Sequence, residues 1–135
     1  MVEDSENKEL IVVDRDNELK KWEHSRIVVH VKTYWQMLKD VGKENFESCW
    51  TLYCFYYATG RRQKTNQPYA LDTYCMAGLN WCRTTFYKYK KLLLEHGYID
   101  QIKRRSYGGK FKKGEKITFI KVNFMSNGIT DSTTF

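Results

Sequence analysis

Several kinds of chemistry are absent from this chain of 135 residues. Its four cysteines (Cys49, Cys54, Cys75, Cys82) form no CxxC pair, and none of its three histidines stands at metal-ligand spacing from them. A zinc site has no donor set here, and no metal or other cofactor is expected. His24, His30 and His96 lack a carboxylate, serine or cysteine partner in any catalytic arrangement, so no enzyme is expected. No Gly-rich phosphate cradle occurs, since Gly108-Gly109 reads as a hairpin tip. There is no apolar leader and no run of about 18 apolar residues, so no membrane partner is expected. The reading is a cytoplasmic protein with reduced thiols acting as small buried hydrophobes. Repeats and low-complexity tracts are missing as well.

What is present is aromatic and basic. Ten Tyr, seven Phe and four Trp supply core material, and the formal charge is +7. That charge is unevenly placed. Residues 1–23 carry eight acidic side chains against four basic ones, whereas residues 80–124 carry twelve basic against three acidic. A basic half of this density attracts polyanions, of which nucleic acid is the common one. The plain alternative is a lysine-rich face that only keeps the chain in solution.

The order of elements sharpens this. Residues 1–25 read as an acidic, flexible arm broken only by Leu10-Ile11-Val12-Val13. Residues 26–43 read as a strand (Arg26–Val31) and a short helix (Lys32–Val41) stopped at Gly42, a possible dimerisation element. Glu44–Thr59 has apolar residues at three- and four-residue spacing (Phe46, Cys49, Trp50, Tyr53, Tyr56, Tyr57), which predicts a helix ended by Gly60. This aromatic run suits a buried core face better than a base-stacking platform. After a polar loop, Pro68-Tyr69-Ala70 fits only a short edge strand or a helix approach.

Asp72 or Thr73 then caps a short helix to Leu79 with Cys75, Met76 and Leu79 inward. Asn80 fills a left-handed turn position, Trp81 tucks back as a core plug, and Cys82 takes the N-cap of a helix running to His96 with Gly97 after it. Tyr98–Arg105 and Lys116–Phe124 alternate as an antiparallel pair. Three glycines in Ser106–Glu115 predict a mobile tip. The tail 125–135 is polar and predicted to fray.

Two short helices, a tight turn and a basic two-stranded ribbon form an arrangement that can lay one helix in the major groove of DNA. With Phe86, Tyr89 and Leu93 inward, Arg83, Thr84, Tyr87, Lys88 and Lys91 fall on or beside the opposite face. Arg83 suits bidentate pairing with guanine, and Thr84 or Tyr87 suits a thymine methyl or a phosphate. Lys88 and Lys91 suit phosphate clamping. Lys103, Arg104, Arg105, Lys110, Lys112 and Lys113 are spaced to follow backbone or enter a minor groove.

The span Phe46–Phe124 resembles a winged helix-turn-helix domain of the kind found in phage and plasmid replication proteins and small bacterial regulators. The resemblance runs through Phe46, Trp50 and Leu52-Tyr53, then Gln67-Pro68, Leu79-Asn80-Trp81, Thr85-Phe86-Tyr87-Lys88, Lys91, Leu93, Glu95 and Gly97-Tyr98-Ile99. It implies an α+β fold: a three-helix core and a C-terminal β-hairpin wing over residues 44–124, behind an N-terminal extension. It also implies a role in regulation, replication or segregation of a mobile element. Lys90 departs from the pattern where an apolar residue is usual, which predicts a slightly rotated helix or Tyr89 entering the core. Leu92 and Leu94 stand where polar residues are usual. With Trp35, Leu38 and Ile11–Val13 they offer apolar surface for a homodimer on double-stranded DNA. The alternative function is a winged helix that docks an acidic protein partner.

Overall fold

The computed structural model describes residues 20, 26–106, 108–109 and 111–123, and the backbone of 125–126 and 129–130. The acidic arm, Lys110, Phe124 and most of the tail lie outside the described residues. The fold is α+β. Helices α1 (Val31–Val41), α2 (Lys43–Gln63), α3 (Asp72–Leu79) and α4 (Arg83–Glu95) precede an antiparallel hairpin of β1 (Ile99–Arg105) and β2 (Lys116–Val122). Short strands β3 (Met125–Ser126) and β4 (Ile129–Thr130) pair after it.

The long helix α2 is the spine, because its apolar residues repeat at helical spacing on one face. Cys49, Leu52, Tyr53, Tyr56 and Tyr57 are fully buried. They meet Met37 and Val41 of α1, Cys75 of α3, Phe86 and Leu93 of α4, and Tyr98, Ile99, Ile120 and Val122 of the hairpin. An aromatic ladder links the layers: Tyr34 to Trp50 at 5.3 Å, Trp50 to Tyr53 at 5.8 Å, and Tyr53 to Tyr98 at 6.1 Å between ring centroids. Such contacts add about 0.5–1.5 kcal/mol each beyond the area they bury. The aromatic run is therefore core.

Three expectations about element limits change. Arg26–His30 is extended but pairs with no strand among the described residues, and α1 starts at Val31. β-branched composition favours extended backbone, yet a strand also needs a partner edge. Here the carbonyls go to side chains instead, with Tyr57 Oη donating to Val28 O and Arg61 Nε to Arg26 O at 3.2 Å. Helix α2 does not stop at Gly60, which is buried inside it. Arg61 and Gln63 each gain a tertiary partner, Gln63 bonding both backbone groups of Tyr69 at 2.9 Å, so one more turn is held. Lys64 then closes the helix at φ 60°. Neither Asp72 nor Thr73 caps α3, since Leu71 is its N-cap and Asp72 its first helical residue. The described residues of the glycine-rich Ser106–Glu115 turn make local hydrogen bonds. Ser106 Oγ donates to Gly108 O at 3.2 Å and accepts from Gly108 N at 3.0 Å, while Glu115 O accepts from Ser106 N at 2.8 Å. Glycine permits the positive φ found at Gly108, Gly109 and Gly114, and Phe111 packs on Tyr69 at 5.0 Å between ring centroids.

Other expectations hold. Asn80 has φ 59° and ψ 44°, the left-handed turn between α3 and α4. Cys82 is the N-cap of α4. Gly97, at φ 79°, ends α4 through bonds from Gly97 N to Leu94 O (3.2 Å) and Tyr98 N to Leu93 O (2.9 Å). Asn66 and Pro68 lend their carbonyls to Val122 N (2.8 Å) and Ile120 N (3.0 Å). The proline segment thus runs along the outer edge of β2, donating nothing at Pro68.

A polar knot fixes the hairpin base. Asn123 Nδ2 donates to Gly97 O at 2.8 Å and Asp100 Oδ2 at 3.0 Å, and Asn123 O accepts from Tyr53 Oη at 2.6 Å. Tyr98 Oη donates to Asp40 Oδ2 at 2.8 Å, joining the same corner to α1.

Burial of the thiols makes stability sensitive to alkali. It pushes the Cys49 thiol up to about 11 and that of Cys75 up to about 12, well above the ordinary thiol range. Both folded values are raised, so their stabilisation is complete below pH 9 and is lost as pH rises toward 11–12. Urea unfolding should show each thiol costing on the order of 1 kcal/mol between about pH 8 and pH 10. Removing Cys49 and Cys75 as Ala should flatten that decline, and an unchanged slope would assign it to other groups.

Candidate nucleic-acid interface

Helix α4 sorts its side chains by period. Phe86, Lys90 and Leu93 are buried, while Arg83, Thr84, Tyr87, Lys88 and Lys91 are exposed. The expected outward set is therefore on the surface, with its first four members in the first two turns. No acidic residue stands in the first turn of α4. The exposed N-terminal face carries only hydroxyl, aromatic and cationic groups.

The inward set differs from expectation at one position. Tyr89 is half-buried against Trp81, with ring centroids 5.6 Å apart, and Trp81 packs on the core as expected. Tyr89 does not displace Lys90, which is itself buried. The Lys90 side chain is 7% exposed, and its Nζ meets Asp72 Oδ1 at 2.8 Å. A buried ammonium without a carboxylate would be costly, so the pair explains how a lysine stands where an apolar residue is usual. The aliphatic stem packs inward, with Nζ 5.8 Å from the centre of the Phe86 ring.

Asp72 also takes the Tyr87 hydroxyl, which donates to Oδ2 at 2.7 Å. That hydrogen bond holds the phenol above its ordinary pKa. The Tyr87 hydroxyl is committed within the protein, and the residue is 38% exposed. Arg83 lies over that ring, its guanidinium carbon 5.6 Å from the centroid. A carboxylate from α3 thus anchors two residues of α4 and, through Tyr87, borders a third. The pairing of Asp72 with Lys90 and Tyr87 was not evident from the sequence. The usable signal was the three-residue step from Tyr87 to Lys90, which places both on one side of the helix facing a preceding acid.

At the start of α4, the Cys82 thiol is exposed, and its sulfur lies 3.3 Å from Thr85 Oγ1. That hydroxyl, with nearby backbone amides, holds the thiol below its ordinary pKa. Lys88 Nζ rests 5.2 Å from the Tyr89 ring centre. Lys91 Nζ is 3.9 Å from Glu95 Oε2, an exposed pair that constrains it little.

The hairpin divides its basic residues between two faces, because residues opposite each other in an antiparallel pair share a side. Lys103 opposite Thr118 and Arg105 opposite Lys116 continue the face that carries Ile99, Ile120 and Val122 deeper in the fold. Arg104, opposite Ile117, shares the other face with Phe119 and lies 4.2 Å over its ring. Tyr69, Phe111 and Phe119 make a small aromatic cluster there. Lys103, Arg104, Arg105, Lys112 and Lys113 are all exposed. Arg105 spends one donor on Gly114 O at 3.2 Å. Six bases expected as one set are thus, at the positions described, two rows and a loop; Lys110 lies outside the described residues.

Leu92 and Leu94 are not free apolar surface. Both are half-buried and packed against the core. Val28, Val31 and Trp35, by contrast, are 63%, 70% and 59% exposed. Among the described residues no group of three or more His, Cys, Asp or Glu is placed to hold a metal ion, and no helix is long and apolar enough to cross a membrane.

Comparison of the chain with protein-family models, with curated proteins and with solved structures finds no match in any of the three.

Proposed function

We propose that this chain is a winged helix-turn-helix protein without catalytic activity that binds double-stranded DNA. In this reading α3 and α4 are the helix pair, α4 enters the major groove, and the β1–β2 hairpin is the wing. The observation that carries it is the division of α4: Arg83, Thr84, Tyr87 and Lys88 form one exposed face in its first two turns, backed by Phe86, Lys90 and Leu93 in the core. N-terminal residues of such a helix reach base edges, and cationic neighbours meet phosphate. The left-handed Asn80 supports the same reading by setting a tight turn between the two helices. A role in regulation, replication or segregation of a mobile element follows from the sequence resemblance.

A second copy fits this reading, because one helix reads only a few base pairs, and half-sites are normally about 34–36 Å apart. Among the described residues, the exposed Val28, Val31 and Trp35 offer apolar area for a two-fold dimer. Sedimentation at micromolar protein tests it, since a monomer that stays monomeric on DNA ends the dimer proposal.

The direct experiment is a gel-shift titration against random duplex at two salt concentrations. Neutralising Lys103, Lys112 and Lys113 together as Ala should weaken binding to all sequences alike. The slope of log K against log salt should flatten by about 0.9 per phosphate contact removed, or roughly 2–3 in total. An unchanged slope would take the hairpin off the DNA and favour docking of an acidic protein.

A further inference from the structure

Asp72 makes no cap for its own helix, although it opens α3. Both of its oxygens are used by α4 instead. Oδ2 receives the Tyr87 hydroxyl at 2.7 Å and Oδ1 receives Lys90 Nζ at 2.8 Å. These two donors stand three residues apart, on the side of α4 that faces α3. Tyr87 is 38% exposed, so its ring lies at the boundary between core and surface. Arg83 is one helical turn earlier, with its guanidinium 5.6 Å from that ring's centre.

An arginine at the start of a helix has four rotatable side-chain bonds and no fixed direction of its own. A flat ring that cannot rotate gives its guanidinium a surface to lie against. The Tyr87 ring can turn about its side-chain bonds unless its far end is held, and Asp72 holds that end. Lys90 fixes the carboxylate in turn, since the buried ammonium needs the same group. The order of support runs from Lys90 to Asp72, to Tyr87, to Arg83.

We propose that Asp72 is a positioning residue for base recognition, acting through Tyr87 to orient Arg83. The inference rests on the DNA-binding reading above and deepens it by naming what sets its specificity. It also assigns Tyr87 a role different from phosphate contact, because its hydroxyl already donates to a carboxylate. Binding a guanine edge requires both guanidinium donors in one plane, so orientation matters most for the bidentate contact. Phosphate contacts are less demanding and should not depend on Asp72.

Removing Asp72 itself strands Lys90, so the decisive variant is Tyr87→Phe. It deletes the hydroxyl, and with it both the bond to Asp72 and the contact of Arg83 with the phenol oxygen, while keeping the ring and the Asp72–Lys90 ion pair. Affinities are measured for random duplex and for the site enriched from a random duplex pool, using wild type, Tyr87→Phe, Arg83→Ala and the double variant. Tyr87→Phe should lower affinity for the enriched site by about 5- to 10-fold and leave random duplex within about 2-fold. In the Arg83→Ala background, Tyr87→Phe should have no further effect, because there is nothing left to orient. A merely structural hydroxyl would not give that coupling. Equal losses on both DNAs, an unchanged ratio, or losses that add in the double variant would each overturn the proposal. Wild-type protein that shows no salt-sensitive binding to any duplex is a separate result, and overturns the DNA reading itself.

Discussion

Asp72→Ala is expected to lower the unfolding free energy by about 2–3 kcal/mol, whereas Lys90→Met should leave it within about 1 kcal/mol. The asymmetry follows from burial. Lys90 is 7% exposed at its side chain and Asp72 30%. Removing the acid leaves an ammonium in the core with no carboxylate, while removing the base leaves a half-exposed acid that still accepts from Tyr87. Loss of one partner from a fully buried pair costs about 3–5 kcal/mol, and the partial exposure of Asp72 brings the figure down. Methionine matches the lysine stem and packs beside Phe86 without a charge to satisfy. Urea unfolding at neutral pH measures both. An Asp72→Ala loss below about 1 kcal/mol would mean the Lys90 ammonium swings out to water.

The second large effect is on binding. Arg83→Ala is expected to cost about 1–3 kcal/mol for the best DNA site while random-sequence affinity falls less. Arg83 is exposed and its deletion opens no cavity, so folding should be nearly unchanged. Equal losses on specific and random duplex would assign Arg83 to phosphate, and no loss on either would remove α4 from the interface. Thermal unfolding of the same variant separates binding from stability.

The parts of this structure legible in the sequence are those set by local rules. The turn at Asn80, the end of α4 at Gly97 and the exposed row Arg83, Thr84, Tyr87 and Lys88 each depend on residue type and helical period. So does the inward face of α2. What could not be read depends on partners distant along the chain. Gly60 looks like a stop until Arg61 and Gln63 find Arg26 and Tyr69. Asp72 looks like a cap until Tyr87 and Lys90, fifteen and eighteen residues on, take its oxygens. Arg26–His30 has strand composition, but among the described residues no neighbouring edge pairs with it. The hairpin bases looked like one set because spacing alone does not say that Arg104 turns toward Phe119 while Lys103 and Arg105 turn the other way. Leu92 and Leu94 looked like free surface because the helix period does not show how closely α4 sits on its neighbours.

The segment Asn66–Pro68 carries one more consequence. A two-stranded ribbon has two open edges, and either can recruit another chain by strand addition, the first step toward aggregation. On the β2 side, Ile120 and Val122 already give their amides to Pro68 and Asn66. The amides that alternate with these contacts are spent too, Gln67 N on Thr65 Oγ1 at 3.0 Å and Tyr69 N on Gln63 Oε1 at 2.9 Å, so further growth on this flank finds its donors taken. On the β1 side the edge runs through Lys103, Arg104 and Arg105, three consecutive cations that repel a second copy of themselves. Strand addition to the hairpin is thus opposed by spent hydrogen bonds on one flank and by like charge on the other. Acidic substitutions that reverse the β1 charges should remove the second guard while leaving the first intact.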